Sequence, residues 1–565
     1  FNGEIYNFEE LRRELDVPWR GHSDTEVMLA AFEAWGVQEA LARFTGMFAI
    51  AVWDRTLRRL QLIRDRMGVK PLYYGLVGNT FLYASELKAL RRHPRFEGRI
   101  DRGALELYLR SMYVPAPWSI YEGVFKLVPG TVLTFDPATR AIETATYWSV
   151  RDAVLRGLGH RFRGTEEEAS HELEQRLRDA VRLRLVSDVP LGVFLSGGVD
   201  SSLVTALMQA ESAGPVRTFT IGFTDPSYDE SPFAAAVARH LGTSHTELHL
   251  TPEDVVSVIP KLPSMYDEPF ADSSQIPTHL VAQLARRHVT VALSGDGGDE
   301  LFGGYNRYVI GQKLFRRLAA LPRALRPALG RLLTSVPPRA WDRLLAPVLR
   351  QPRPGERVHK VARVLAADDP DAMYFELVSH WANVVIGGGK AVSPLADRSA
   401  WPPLEDPTER MMYFDQLSYL PDDILAKVDR ASMAVSLEAR EPLLDHRLVE
   451  FAWTLPLSMK VRNGKGKLLL RRVLDRYVPR PLIERPKMGF GIPLEAWLRG
   501  RLRDWAESLL DPSVIRAQGL LDPQPIREKW EEHLAGKGDW KHYIWAVLML
   551  QAWLSKEKGD SPQSH

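Results

Sequence analysis

Ser196-Gly197-Gly198-Val199-Asp200-Ser201-Ser202 gathers two adjacent glycines, three hydroxyls and one acid in a short stretch. Adjacent glycines let backbone N–H groups approach an anion without side-chain interference. The hydroxyls of Ser196, Ser201 and Ser202 add donors. An apolar run of strand length, residues 191–195, precedes the stretch, and Leu203, Val204, Ala206 and Leu207 follow it at helical spacing. A helix starting there turns its positive end, roughly half a charge, on the same point. Strand, glycine loop and helix together make a pyrophosphate cradle. Asp200 is an acid in an anion site, which a bridging metal makes favourable; Mg²⁺ is the natural partner. The segment is not the Gly-x-x-x-x-Gly-Lys-Ser/Thr loop, because no lysine sits in it. A plain Ser/Gly turn would explain Ser-Gly-Gly, but not the acid and hydroxyls that follow.

Two further clusters could join that cradle. Residues 294–305 carry Asp296, Asp299 and Glu300 among glycines, ending at Tyr305. Carboxylates so close repel one another unless a cation joins them. A solvated acidic loop is the alternative; beside the cradle, Asp299 is the best second Mg²⁺ ligand after Asp200. In the mostly helical block 420–445, Lys427 and Arg430 lie one turn apart on a shared face. Finally, Gly464-Lys465-Gly466-Lys467 leads into Leu468 to Arg471. A positioned lysine there could stabilise charge developing on phosphate; a mobile surface lysine is the alternative.

The elements that must hold these groups fall into two halves. Residues 1–150 read as mostly β with short helices. A strand over 46–54 pairs with 60–65, and 71–74 and 80–84 continue the meander around a Gly78-Asn79 turn. Residues 149–166, polar with three glycines, read as a linker. A helix over 166–185, strands ending at 195, 223 and 293, and a helix over 232–241 alternate thereafter. Such alternation predicts a doubly wound parallel sheet, with ligands at the carboxyl ends of its strands. Residues 310–400 are helical with no extractable chemistry. Helices follow to about residue 555, and 556–565 form a polar tail.

Composition narrows the class. Lys and Arg number 73 against 71 Asp and Glu, so no basic excess calls for nucleic acid. No apolar stretch is long enough to span a bilayer, and no signal peptide is evident. The chain has no cysteine, which excludes disulfides and thiolate metal sites. A reducing cytoplasm is the expected compartment. A homodimer is left open.

The cradle resembles the pyrophosphate loop of the ATP-pyrophosphatase superfamily. Phe1-Asn2-Gly3-Glu4-Ile5-Tyr6-Asn7, His22-Ser23-Asp24-Thr25-Glu26 and residues 64–74 resemble the glutaminase domain of class II amidotransferases. Together they resemble the glutamine-dependent asparagine synthetase family over nearly the whole chain. The resemblance implies an α/β and α+β protein of two domains. Residues 1–150 would be a β-rich, Ntn-type glutamine amidotransferase domain, incomplete because its N-terminal cysteine nucleophile is absent; the motif begins at residue 1, so truncation is expected. Residues 165–555 would be the synthetase domain, with C-terminal helices. Asn2 and Gly3 would form an oxyanion hole, and Asn2, Glu4 and Asp24 would bind glutamine. Leu195, Ser196, Gly197, Gly198, Asp200, Ser201, Ile221, Ser294 and Gly295 would bind ATP. Asp296 would bind the acceptor or poise the intermediate, and Lys467, with Arg471, would stabilise the adenylation. Glu300, Tyr305, Lys427 and Arg430 would line the aspartate pocket, and residues 486–493 a glycine-bearing loop nearby. The implied reaction makes asparagine from aspartate, ATP·Mg²⁺ and glutamine or ammonia, through β-aspartyl-AMP.

Overall fold

The computed structural model describes residues 1–226, 228–309, 321–322, 325–349, 354–365, 367, 369–484 and 491–560. The first half contains β1 (Asn2–Ile5), β2 (Gly46–Asp54), β3 (Arg59–Arg64), β4 (Tyr73–Val77), β5 (Thr80–Ala84), β6 (Val124–Lys126), β7 (Thr131–Phe135) and β8 (Ile142–Thr146). They form two antiparallel sheets, ordered β1-β2-β3-β7-β8 and β5-β4-β6. One face of the larger sheet is covered by the helix Asp24–Arg43, whose Val27, Met28 and Ala31 pack on Phe48, Ile50 and Ile63. Between the sheets, Phe81 stacks on Phe135 at 4.1 Å.

The expected meander breaks after β3. The Asp65 carboxylate accepts backbone N–H bonds from Met67, Val69 and Lys70, closing a tight turn that starts the second sheet at β4. Arg64 and Arg66 donate to carbonyls of Lys70, Leu127, Phe44 and Leu41. The Arg-Asp-Arg cluster therefore ties backbone together rather than forming the ion-pair network its charges suggest.

Residues 149–166 are not a flexible linker. Ser149 caps a helix, Val150–Gly159, whose Gly157 allows close approach to the Trp453 carbonyl. A capping box at Thr165 and Glu168 then starts the helix Glu166–Arg184.

The second half is built on one parallel sheet of β9 (Leu191–Phe194), β10 (Arg217–Phe223), β11 (Ser244–Leu250), β12 (Val291–Leu293) and β13 (Glu438–Arg440). Its order is β11-β10-β9-β12-β13. The two outer strands escape the sequence reading. In β11 histidines and other polar residues interrupt the apolar signal, and β13 is three residues long inside a helix-like block. Leu203, Val204 and Leu207 of the helix Val199–Glu211 pack against Leu173, Leu177 and Val181, all fully buried. Each such side chain stabilises the layer by about 1.5–3 kcal/mol.

The strand order reverses between β9 and β12, so the loops leaving those two strands diverge and leave a crevice at their carboxyl ends. Helices Arg326–Ser335, Pro338–Leu349, Pro354–Val364 and Pro370–Val378 bear out the helical reading of 310–400 in part; residues 379–397 run without a helix, and only a short 3-10 turn, Arg398–Ala400, follows. The C-terminal helix Lys541–Asp560 takes in residues 556–560 of the expected tail; residues 561–565 lie outside the described residues. Among the described residues no helix is long and apolar enough to cross a membrane. The two halves share one apolar core, in which Leu105 and Tyr108 join Leu284 and Trp545. Buried ion pairs cross it: Lys70 with Asp429 at 3.1 Å and Lys126 with Glu268 at 2.6 Å.

Candidate active site

The crevice at the reversal point is a cleft of about 940 Å³. The loop after β9, the loop after β12 and the segment before the helix Leu468–Leu474 all open into it. The β9 loop is tight. Gly197 has φ +72°, and a Cβ there would fall 2.8 Å from the Ala234 backbone nitrogen. The Ser196 hydroxyl accepts the Gly198 N–H at 3.3 Å, and the Ser201 hydroxyl accepts the Ser196 N–H at 3.2 Å.

The β12 loop presses directly on it. A Cβ on Gly298 would lie 2.4 Å from Asp200 Oδ1, so only glycine lets the acid loop close over the cradle. Asp200 and Asp299 converge on one cation. Lys467 Nζ pairs with Asp299 at 2.7 Å and with Asp200. Burial alone would lower the Lys467 pKa, but the two carboxylates raise it overall, so the ammonium stays charged. Lys467 itself adopts a left-handed conformation, φ 59° and ψ 34°, with its N–H on the Phe302 carbonyl at 2.9 Å. A non-glycine residue held there costs of order 1–3 kcal/mol, and such strain gathers at functional sites.

Of the residues singled out by sequence, Leu195, Ser196, Gly198, Asp200, Ser201, Ile221, Ser294, Gly295, Asp296, Asp299, Glu300, Tyr305, Lys427, Lys467 and Arg471 all line this cleft. Gly197 shapes the loop from behind. Asp296 accepts the Ser294 hydroxyl at 2.5 Å; burial raises its pKa.

Arg430 departs from expectation. It leaves the cleft and donates to the Ser85 carbonyl at 2.6 Å, beside Glu86 at 3.0 Å. Three residues turn a helix by only part of a revolution short of a full turn, so the two side chains diverge. Lys427 faces the cleft and Arg430 the first half. Residues 486–490 of the glycine-bearing loop lie outside the described residues.

Sequence reasoning missed Asp272, Ser273 and Ser274, which line the same cleft. Asp272 pairs with Lys427 at 2.8 Å, and against the effect of burial that contact pulls its carboxyl down to about 2. The signal was available: Asp-Ser-Ser occurs at 200–202 and again at 272–274. Tyr419 was also missed. It sits on the π-helix Asp415–Leu425, a form that marks functional sites.

Glu300 is buried, and its hydroxyl partner is Tyr305. Burial, then the neighbouring Asp299, raise its pKa from 4.5 to about 7. A carboxyl raised in the folded state contributes stability that is full below pH 4.5 and lost as pH rises through about 7. Glu300→Gln removes that loss. Unfolding free energies from denaturant titrations at about pH 5 and pH 8 are expected to differ by on the order of 2 kcal/mol less in the variant than in the parent. An unchanged difference would remove Glu300 as its source.

In the first half, Asn2 Nδ2 donates to the Ser85 hydroxyl at 3.2 Å. Gly3 has φ +139° and lies against the Met47 carbonyl, which a Cβ would approach to 2.0 Å. Asp24 accepts the Ile5 N–H at 3.0 Å. Burial raises the Glu4 pKa to about 7 against the pull of Arg440, which reaches it at 3.3 Å from β13. Asn2, Gly3, Glu4 and Asp24 thus sit around β1, on the side that meets the parallel sheet.

Comparison with known proteins assigns the architecture. Residues 172–555 match the asparagine synthase family model, and residues 1–148 match that of a glutamine amidotransferase domain. Two such units in one chain define the class of ATP-using amidotransferases. The chain belongs to the asparagine synthase family. Asparagine synthetase [glutamine-hydrolyzing] 1 of Bacillus subtilis is 32% identical over 98% of this chain and 85% of that protein. A putative asparagine synthetase [glutamine-hydrolyzing] of Mycobacterium bovis is 33% identical over 98% of this chain and 83% of that protein. A more distant relative, amidase chry2 of Gibberella zeae, is 26% identical over 93% of this chain and 81% of that protein. The chain is accordingly a carbon–nitrogen ligase with ATP as co-substrate.

Proposed function

We propose that the chain amidates aspartate to asparagine through β-aspartyl-AMP. The observation that carries this reading is the Lys467 ammonium lying between Asp200 and Asp299, beside a glycine cradle in an open cleft. In this reading Ser196, Gly197, Gly198 and Ser201 hold the pyrophosphate, and Leu195, Ile221, Ser294 and Gly295 hold the AMP portion. The Lys467 ammonium occupies the point shared by the two acids, so Asp200 and Asp299 are set to share a positive charge and fit Mg²⁺. Among the described residues no three or more acid, His or Cys side chains group for a metal, and phosphate oxygens would complete the set. When bound, Mg²⁺ neutralises phosphate charge.

The β-carboxylate oxygen of the acceptor attacks the α-phosphorus, and pyrophosphate leaves. Charge grows on the phosphate oxygens as it does so. Lys467 sits on a short, strained turn where its ammonium can swing from the two acids to those oxygens. Asp296 and Lys427, with Glu300 and Tyr305 behind them, offer opposite charges to the acceptor's amino and carboxylate groups. Ammonia then displaces AMP. The first half would supply it from glutamine in a protein that holds the cysteine nucleophile, with Asn2 and Gly3 on the oxyanion and Glu4 and Asp24 on the glutamine.

A second reading keeps the chemistry and changes the acid, since relatives at 26% identity are named amidases. One experiment separates the two. Pyrophosphate release is measured with ATP, ammonium and a panel of carboxylic acids. Release that depends on aspartate supports the first reading and release that depends on another acid replaces it. Silence with every acid removes both.

A further inference from the structure

Lys460 ends the short helix Leu457–Lys460 and is fully buried, at 0% exposure. Its Nζ has no hydrogen-bond partner among the described residues, and it lies 4.7 Å from the centre of the Trp453 ring. Two charged groups face it. Glu409, on the helix Pro407–Phe414, accepts two bonds from Arg161, at 2.9 and 3.2 Å. Arg161 also donates to the carbonyls of Trp453 and Leu455. The one nearby carboxylate is thus already neutralised by a guanidinium. A buried ammonium with no counter-charge of its own is unfavourable. The site suits the neutral amine, whose N–H bonds can turn to the ring face.

From Lys460 two supports run to the cleft. The first follows the chain. Val461 packs on Gly303, where a Cβ would fall 2.3 Å from Val461 Cγ2, and a Cβ on Gly466 would fall 2.0 Å from the Gly303 carbonyl oxygen. Arg462 and Lys465 close a turn with two backbone bonds of 3.0 Å, and the Lys467 N–H reaches the Phe302 carbonyl. Segment 461–467 is therefore laid along Phe302 and Gly303. The second support runs through side chains. Trp453 Nε1 donates to Gln416 Oε1 at 2.9 Å, and Gln416 Nε2 donates to the Glu300 carbonyl at 3.0 Å. Gln416 separates Trp453 from the Glu300 carboxyl. Lys460 stands where the two supports meet, behind both Lys467 and the acid loop.

We propose that Lys460 is a positioning residue for adenylation: its neutral amine, seated on Trp453, holds segment 461–467 and with it Lys467 against the acid loop, and a proton taken up from water at Lys460 releases them. The inference rests on the adenylation role given to Lys467 above. Lys460 itself touches no substrate and acts only through Lys467.

The electrostatics agree with the geometry. Burial lowers the Lys460 pKa from 10.5 to about 7; Glu409 opposes the fall and Arg161 adds to it. A lysine lowered in this way binds fewer protons folded than exposed. Opening the segment to water then takes up a proton, and opening becomes easier as pH falls from 10.5 toward about 7. Below about 7 the seated amine is itself protonated, and the charge is buried without a partner.

The test uses the full chain in two arms. In the first, ATP–pyrophosphate exchange is followed from about pH 6 to about pH 8.5 in the parent and in Lys460→Met, which keeps the length of the side chain and cannot take up a proton. The ratio of variant to parent rate is expected to rise about tenfold from pH 8.5 to pH 6, because the parent loses its neutral amine over that range. A ratio constant with pH, which a merely structural role would give, overturns the proposal. The second arm needs no variant. Hydrogen exchange of the backbone over residues 457–467 of the parent, corrected for the intrinsic pH dependence of exchange, is expected to show about tenfold less protection at pH 7 than at pH 8.5. Equal protection at the two pH values overturns the proposal, whether or not Lys460→Met folds. A parent that catalyses no exchange with any acid tells against the amidation reading, and the hydrogen-exchange arm still decides the role of Lys460.

Discussion

Lys467→Met is expected to reduce ATP–pyrophosphate exchange by about a hundredfold or more, the scale for removing a charge aimed at a transition-state oxyanion. The same change should lower stability. Without the ammonium, Asp200 and Asp299 face each other across the gap it filled, in side chains only 15% and 20% exposed. Removing one partner from a buried ionic group costs about 3–5 kcal/mol, and the opening to solvent brings the expectation here to about 2 kcal/mol. The two effects part company under added magnesium, which should restore the denaturation midpoint without restoring exchange. Lys467→Arg is not expected to rescue the rate, because a guanidinium is larger, planar and held in a different geometry. Exchange within a few-fold of the parent in Lys467→Met would take Lys467 out of the adenylation step.

The second large effect concerns the nitrogen source. The 565-residue chain contains no cysteine, so it offers no thiolate to attack the glutamine amide. Supplied with ATP and its acceptor, it should form amide from ammonium chloride and none above background from glutamine. The comparison is made by chromatography of the amide product at matched nitrogen concentrations. Glutamate release from glutamine by the purified chain would contradict the argument, and would require another nucleophile around β1. In the proposed reading, Asn2, Glu4 and Asp24 would frame that nucleophile. Asn2 is tied to Ser85, Asp24 to the Ile5 N–H, and Glu4 to Arg440.

Helix Ala426–Met433 serves both halves. Lys427 faces the cleft through Asp272, while Asp429 meets Lys70 and Arg430 meets Ser85. Charges so far inside a protein need partners, and each of these has one. A helix rich in mixed charge would ordinarily read as a solvated surface element. Here the charges are buried because two sites, one on each side, supply the counter-charges.

Much of the site could be read from the chain alone, for a local reason. A strand, a pair of glycines and a helix start are neighbours in sequence, so the cradle at 196–202 is specified by short-range backbone needs. The same holds for the acidic loop at 294–305 and for the lysine at 467, each recognisable within a dozen residues. The β2–β3 and β4–β5 hairpins were legible because alternation and turn residues are also local signals. Tertiary structure decided how these pieces combine. Lys467 meets Asp200 across 267 positions of sequence, because the reversal in strand order between β9 and β12 opens a crevice there. The same order brings β13 to the sheet edge and carries Arg440 to Glu4. Packing of the helix Ala426–Met433 against the first half turns Arg430 to Ser85 and Glu86, away from the pocket its spacing suggested. Motifs name the groups able to react; which of them share a charge, a proton or a wall depends on long-range packing, which no window of sequence contains.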